Sequence, residues 1–237
     1  MPAENRSRCL IGLLACIMTT CAAGISQPPQ AGGSLTPEGF PEAHYRMAKE
    51  MGKEILRVDP ARSLVVIKVR RGGPVAWLGH DHVIASHNLN GFISLTEGRA
   101  DLYVPLEQLV VDEPGLRSKA GFDTQPFRED IEATRRNMQE KTLVSERFPF
   151  ALIHATRTDT HQTGLNVSIT LHGITRTFEV QAETESIPDG ITVSGKMSFN
   201  QSDFGITPLS VLGGLIQVQD NLDIQFRIHA QKAEFRE

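Results

Sequence analysis

The chain has 237 residues, is 40% hydrophobic and 22% charged, and carries a formal net charge of −4. A chain of this size and composition folds as one large domain or two small ones. Its Lys and Arg are scattered among Asp and Glu and form no basic stripe interleaved with aromatics. The phosphate neutralisation that drives nucleic-acid binding therefore has no footing, and no nucleic-acid partner is expected.

The first residues read as an export signal: Arg6 and Arg8 precede an apolar run from Cys9 to Met18, followed by small residues from Thr19 to Gly24. At about ten residues the run is too short for a bilayer span, which takes about twenty. Residues 1–23 are therefore expected to be a cleaved signal peptide, and the protein to be periplasmic or otherwise exported. Two fates are open around Cys21-Ala22-Ala23. Cleavage after Ala23 leaves Gly24 first, whereas lipidation of Cys21 makes a membrane tether. Met18-Thr19-Thr20 is a poor lipobox ahead of Cys21, and Leu13-Leu14-Ala15-Cys16 is a good one that leaves a very short apolar stretch. Cys9, Cys16 and Cys21 all lie in this segment, so the mature part has no cysteine and its stability must come from core burial alone.

From Ser26 to Pro41 the chain is rich in Pro, Gly, Ser and Gln, the composition of a linker. Pro41 to Lys53 carries Ala43, Tyr45, Met47 and Met51 and suits a short helix. Residues 24–53 are thus assigned to linker and short helix, and 54–233 to one folded domain.

From Ile55 onward the pattern is the period-2 alternation of half-buried strands. Val65, Ile67 and Val69 alternate with Val66, Lys68 and Arg70, and Leu102, Val104 and Leu106 with Asp101, Tyr103 and Pro105. Leu165, Val167, Ile169 and Leu171 alternate with polar residues up to Gly173, and Phe178, Val180 and Ala182 do so beyond it. After the turn Pro188-Asp189-Gly190 come Ile191, Val193, Met197 and Phe199, and Leu222, Ile224, Phe226, Ile228 and Ala230 form the last strand. Pro126 to Leu143 interrupts the strands with Phe127, Ile131 and Met138 set among charges, which predicts one or two surface helical turns. Strands of this kind close as an antiparallel sandwich or as a barrel, and alternation alone does not choose between them.

Several stretches bear on that choice. They are Leu56-Arg57-Val58-Asp59-Pro60-Ala61-Arg62-Ser63, the run from Asn137 through Phe148-Pro149-Phe150, Leu171-His172-Gly173-Ile174-Thr175-Arg176, Phe199-Asn200-Gln201-Ser202-Asp203-Phe204-Gly205-Ile206, and Val218-Gln219-Asp220-Asn221-Leu222-Asp223-Ile224. In this order and spacing they resemble the YceI-like lipid- or polyisoprenoid-binding family, over roughly Leu56 to Lys232. The resemblance implies an all-β fold, an extended eight-stranded antiparallel lipocalin-like barrel with a short helical insert. It also implies binding of an isoprenoid, quinone or similar amphiphile rather than catalysis, with no cofactor beyond that ligand. Many members carry K-H-x-x-x-S-x-V-x-G-x-F where this chain has Trp77-Leu78-Gly79-His80-Asp81-His82-Val83-Ile84, a segment expected near the barrel mouth or wall.

On the same resemblance the ligand-lining candidates are Val104, Leu106, Leu165, Val167, Ile169, Phe178, Val180, Met197, Phe199, Ile224 and Phe226. The plain alternative is that these side chains pack on one another and fill the barrel, as in a structural or stress protein. His80-Asp81-His82 is the constellation with metal-ligand chemistry, because residues two apart on a strand share a face. A third ligand is needed, and His87 has the wrong parity without a turn or bulge. His80 and His82 as a metal or haem site in a redox or small enzymatic protein are therefore weighed against two other roles. One is loop support, with Asp81 bonding backbone N–H groups, and the other is contact with a ligand head group. Asp203-Phe204-Gly205 matches the kinase metal-binding triplet, but no Gly-rich phosphate loop accompanies it, and no Gly-x-Ser-x-Gly elbow occurs anywhere. No enzyme is expected, and a homodimer is left open.

Overall fold

The computed structural model describes residues 36–122, 124–158 and 163–235, so the segment read as a signal peptide, Cys21 and the linker up to residue 35 lie outside the described residues. The alternation becomes β1 (Ile55–Val58), β2 (Leu64–Gly72), β3 (His82–Ser86), β4 (Asn90–Ser94), β5 (Arg99–Pro105), β6 (Val110–Val111), β7 (Phe150–Arg157), β8 (Gly164–Leu171), β9 (Ile174–Ile187), β10 (Gly190–Asn200), β11 (Ser210–Val211) and β12 (Ile216–Lys232). These strands fill the eight lanes of one closed antiparallel barrel. β1 and β2 share a lane, as do β3 and β4, and β5 and β6, while β7, β8, β9, β10 and β12 each run alone and β11 pairs only with β12. Closure falls to β12. One edge pairs with β10, and the other pairs first with β2 (Gln217↔Gly72 to Arg227↔Leu64) and then with β1 (Ala230↔Val58 to Lys232↔Leu56). Pairing of β12 on both edges decides for a barrel over a sandwich, and a closed barrel leaves no long edge to template aggregation.

The broken lanes have local causes. Between β1 and β2 the Asp59-Pro60 pair starts a tight turn in which Asp59 Oδ1 accepts from the Ala61 N–H at 3.0 Å. Pro60 offers no N–H to a ladder, so the strand must pause there. The neighbouring strand's donor is still satisfied, because Ser63 Oγ accepts from the His229 N–H at 3.0 Å. The β8–β9 hairpin turns on His172 (φ 53°) and Gly173 (φ 78°), the two left-handed residues of a type I′ turn.

One end of the barrel is capped by helical structure. The turns expected over Pro126–Leu143 appear as α3, a helix over Arg128–Asn137 that runs on into a π turn over Met138–Thr142. A second helical segment, α2 over Pro114–Ala120, was not expected. Its Pro at the first turn and left-handed Gly121 are start and stop signals, but it has no apolar periodicity. It is held instead by Arg117, whose side chain is 2% exposed. At the other end, α1 (Glu42–Glu50) docks on the outer wall with Tyr45 and Ala48 fully buried. Tyr45 Oη donates to Asp101 Oδ2 at 2.6 Å, and the helix packs with Phe92, Ala233, Phe40 and Phe235. Of the segment read as linker and helix, residues 36–53 are thus part of the folded unit. Among the described residues no helix is long and apolar enough to cross a membrane.

Candidate functional site

Alternation points every second residue of each lane into the barrel, and these inward faces enclose a cavity of about 470 Å³. That lies within the roughly 300–1,000 Å³ typical of small-molecule sites. The cavity runs from the helical cap, where Thr134, Met138, Thr142 and Leu143 face it, to Leu95, Gly98, Arg157 and Thr163 at the opposite end. A small barrel is ordinarily filled by its own side chains. Here the inward positions of β5, β7 and β9 include Ala100, Ala151, Ala155 and Ala182, and Ala100 faces Ala155 across the β5–β7 ladder. Short side chains on neighbouring lanes leave the space open. Where aromatics point inward it closes: Phe178 stacks on Phe199 at 5.7 Å between ring centroids, and Phe199 meets Phe204 edge-on at 4.9 Å.

Val104, Leu106, Leu165, Val167, Ile169, Val180, Met197, Phe199, Ile224 and Phe226 all face this cavity. Phe178 has the inward parity but is not part of the cavity wall; its ring packs against those of Phe199 and Phe204. The alanines are the lining residues that a ranking by hydrophobic bulk passes over, although their parity on β5, β7 and β9 marks them as inward. Other lining residues outside the candidate set include Val65, Ile67, Ile84 and Leu102, and Thr134 is visible only once α3 is placed over the opening.

The polar corner of the cavity lies where β3 starts. His82 faces the cavity, with Nδ1 2.6 Å from Asp112 Oδ2 and Nε2 3.5 Å from Thr134 Oγ1. Asp112 Oδ1 also accepts from the Val83 N–H at 2.9 Å and from Arg117 Nη1 at 2.6 Å. Burial alone would push the Asp112 carboxyl up, but the bonds from His82, Val83 and Arg117 hold it below the usual carboxylate range. Arg117 also donates to the Asp81 and Thr124 carbonyls, pinning the helical cap to the barrel rim.

The other members of the histidine segment turn away from this corner. Asp81 Oδ1 accepts from the Arg71 N–H at 2.9 Å, the loop-supporting role weighed above. His80 Nε2 lies 3.8 Å from Asp130 Oδ2, and its ring centroid is 6.3 Å from that of His82. His87 pairs with Glu113 at 2.5 Å, beyond the end of β3. His80 and His82 thus engage different carboxylates, and no group of three His, Cys, Asp or Glu side chains able to hold a metal ion occurs among the described residues.

The fold has counterparts elsewhere. The chain is similar to a structure of a polyisoprenoid binding domain from Saccharophagus degradans, with 15% identity and a TM-score of 0.57 over 76% of this chain and 100% of that one. Burkholderia cenocepacia BcnA is similar at 14% identity and a TM-score of 0.48, over 72% of this chain and 98% of that one. A Campylobacter jejuni YceI protein is similar at 11% identity and a TM-score of 0.41, over 62% and 82% respectively. No curated protein matches the chain. Identities this low speak for the fold alone, but the sequence model of the YceI-like domain matches residues 56–230, which is most of the chain and every lane of the barrel. The chain belongs to the YceI-like domain family.

Proposed function

We propose that this chain is an exported binding protein that holds an isoprenoid, quinone or similar amphiphilic lipid in its barrel and performs no chemistry on it. The observation that carries the reading is the cavity of about 470 Å³, walled almost throughout by aliphatic and aromatic side chains. At about 0.8 kcal/mol per buried CH2, each five-carbon unit of a prenyl chain gains about 4 kcal/mol before ordering costs. Retention therefore needs few polar contacts, and few are provided. The likeness to a polyisoprenoid binding domain agrees with a long apolar guest. Export rests on the character of residues 1–23, with Cys21 as the residue for a membrane tether.

The test is native mass spectrometry followed by solvent extraction and lipid identification, on protein purified from the cell envelope. A stoichiometric ligand of several isoprene units is expected. Protein that emerges empty and also rejects added quinones and prenols overturns the proposal and favours a filled, purely structural barrel.

A further inference from the structure

We propose that His82, with Thr134 beside it, is a head-group site that selects lipids ending in a free hydroxyl, such as a prenol or a quinol. The proposal rests on the lipid-binding reading and deepens it.

The argument begins with Asp112. Its carboxylate oxygens can only accept, and they take hydrogen bonds from the Val83 N–H, from Arg117 and from His82 Nδ1. The proton on the His82 ring must therefore sit on Nδ1. In the neutral ring this leaves Nε2 as a lone-pair acceptor, directed to the side of the ring away from Asp112. That side faces the cavity, where the nearest protein partner is Thr134 Oγ1 at 3.5 Å, the long limit of a hydrogen bond. A ligand O–H reaching this corner is a better-placed donor to Nε2 than the Thr134 hydroxyl is at that distance, and the threonine hydroxyl can in turn donate to the ligand oxygen. A ketone, ether or ester has no proton to give and leaves Nε2 with only the long Thr134 contact.

The charges beside the site do not favour the other common prenyl head group. A phosphate needs several free cationic donors. Both Nη atoms of Arg117, the nearest buried cation, are taken: Nη1 donates to Asp112 and the Asp81 carbonyl and Nη2 to Thr124, which leaves only the buried Nε without a partner. Its charge is matched by Asp112, so the corner offers an acceptor within a neutral pair and no anion hole.

The test compares two probes in which a methyl group replaces the hydroxyl proton, geranylgeraniol and its methyl ether, titrated against full-length protein freed of lipid. One neutral hydrogen bond corresponds to about 3- to 10-fold in affinity, and wild type is expected to prefer the alcohol by that factor. His82→Asn keeps an N–H for Asp112 and removes Nε2, so the variant should fold and bind both probes with the affinity of the ether. In wild type labelled with 15N, the His82 Nε2 resonance should shift on adding the alcohol and stay in place on adding the ether. Equal binding of the two probes by wild type overturns the proposal, as does a preference that survives His82→Asn. If wild type binds neither probe, the lipid-binding reading fails, an outcome distinct from loss of selectivity.

Discussion

Replacing Ala155 by Phe tests whether the barrel is a container. Ala155 sits on β7 between Ala100 and Val167 on the adjoining lanes, and all three face the cavity. A benzyl group there would project into open space. In lipid-free protein the added ring buries apolar surface with little displacement of its neighbours, and burial of a phenylalanine side chain is worth about 1.5–3 kcal/mol. The expected outcome is a rise in unfolding free energy of about 1–2 kcal/mol. The same ring occupies room for about six ligand carbons, which at about 0.8 kcal/mol each is about 5 kcal/mol of lost transfer energy as an upper bound. Even a third of that weakens binding about tenfold. In a barrel filled by its own side chains the substitution would overpack the core and cost about 1–3 kcal/mol. The two pictures differ in sign, so urea unfolding of lipid-free protein with a parallel prenol titration decides between them. Destabilisation with unchanged lipid affinity would refute the cavity argument.

Further outcomes follow from the buried polar groups. Arg117→Met leaves Asp112, whose side chain is fully buried, without its cation and should cost about 3–5 kcal/mol, with much of the loss recovered in the Asp112→Asn, Arg117→Met double variant. Urea unfolding of both checks this, and a single-variant loss below about 1 kcal/mol would contradict the pinning role. His229 lies 4% exposed beneath the β1–β2 turn. Burial, with Arg62 nearby, lowers its pKa below 6.5 in the folded protein. The unfolded chain therefore binds the proton more readily, so stability is full above 6.5 and falls as pH drops toward the folded pKa. His229→Gln should flatten the fall in stability below pH 6.5, read by thermal melts, and an unchanged slope would place the titration elsewhere.

The parity of the strands was legible in the sequence because period-2 alternation is a local property of the backbone. Val104, Val167, Ile169 and Ile224 could be assigned to an inward face without knowing what they face. Residue bulk was an incomplete guide. Phe178, large and inward, packs on Phe199 and is not part of the cavity wall, whereas Ala155, small and inward, helps make the room. Whether a lane's side chains meet across a barrel depends on which lanes oppose one another, and that is not a local property.

The histidine segment divides along the same line. That Asp81 would serve the turn could be read from residues close by, since Arg71 and Gly79 lie within the same hairpin connection. The role of His82 depends on Asp112, thirty residues away, and on Thr134, fifty-two away, neither of which marks itself in the sequence as a partner. The amino-acid sequence by itself determined six of the strands (β2, β5, β8, β9, β10 and β12), their inward faces, the helical interruption and the family resemblance, because each is written in short-range pattern. Only the tertiary structure decided that the barrel encloses space, and that the Asp112-anchored imidazole of His82 faces that space, because both depend on residues brought together by barrel closure and by the packing of the helical cap.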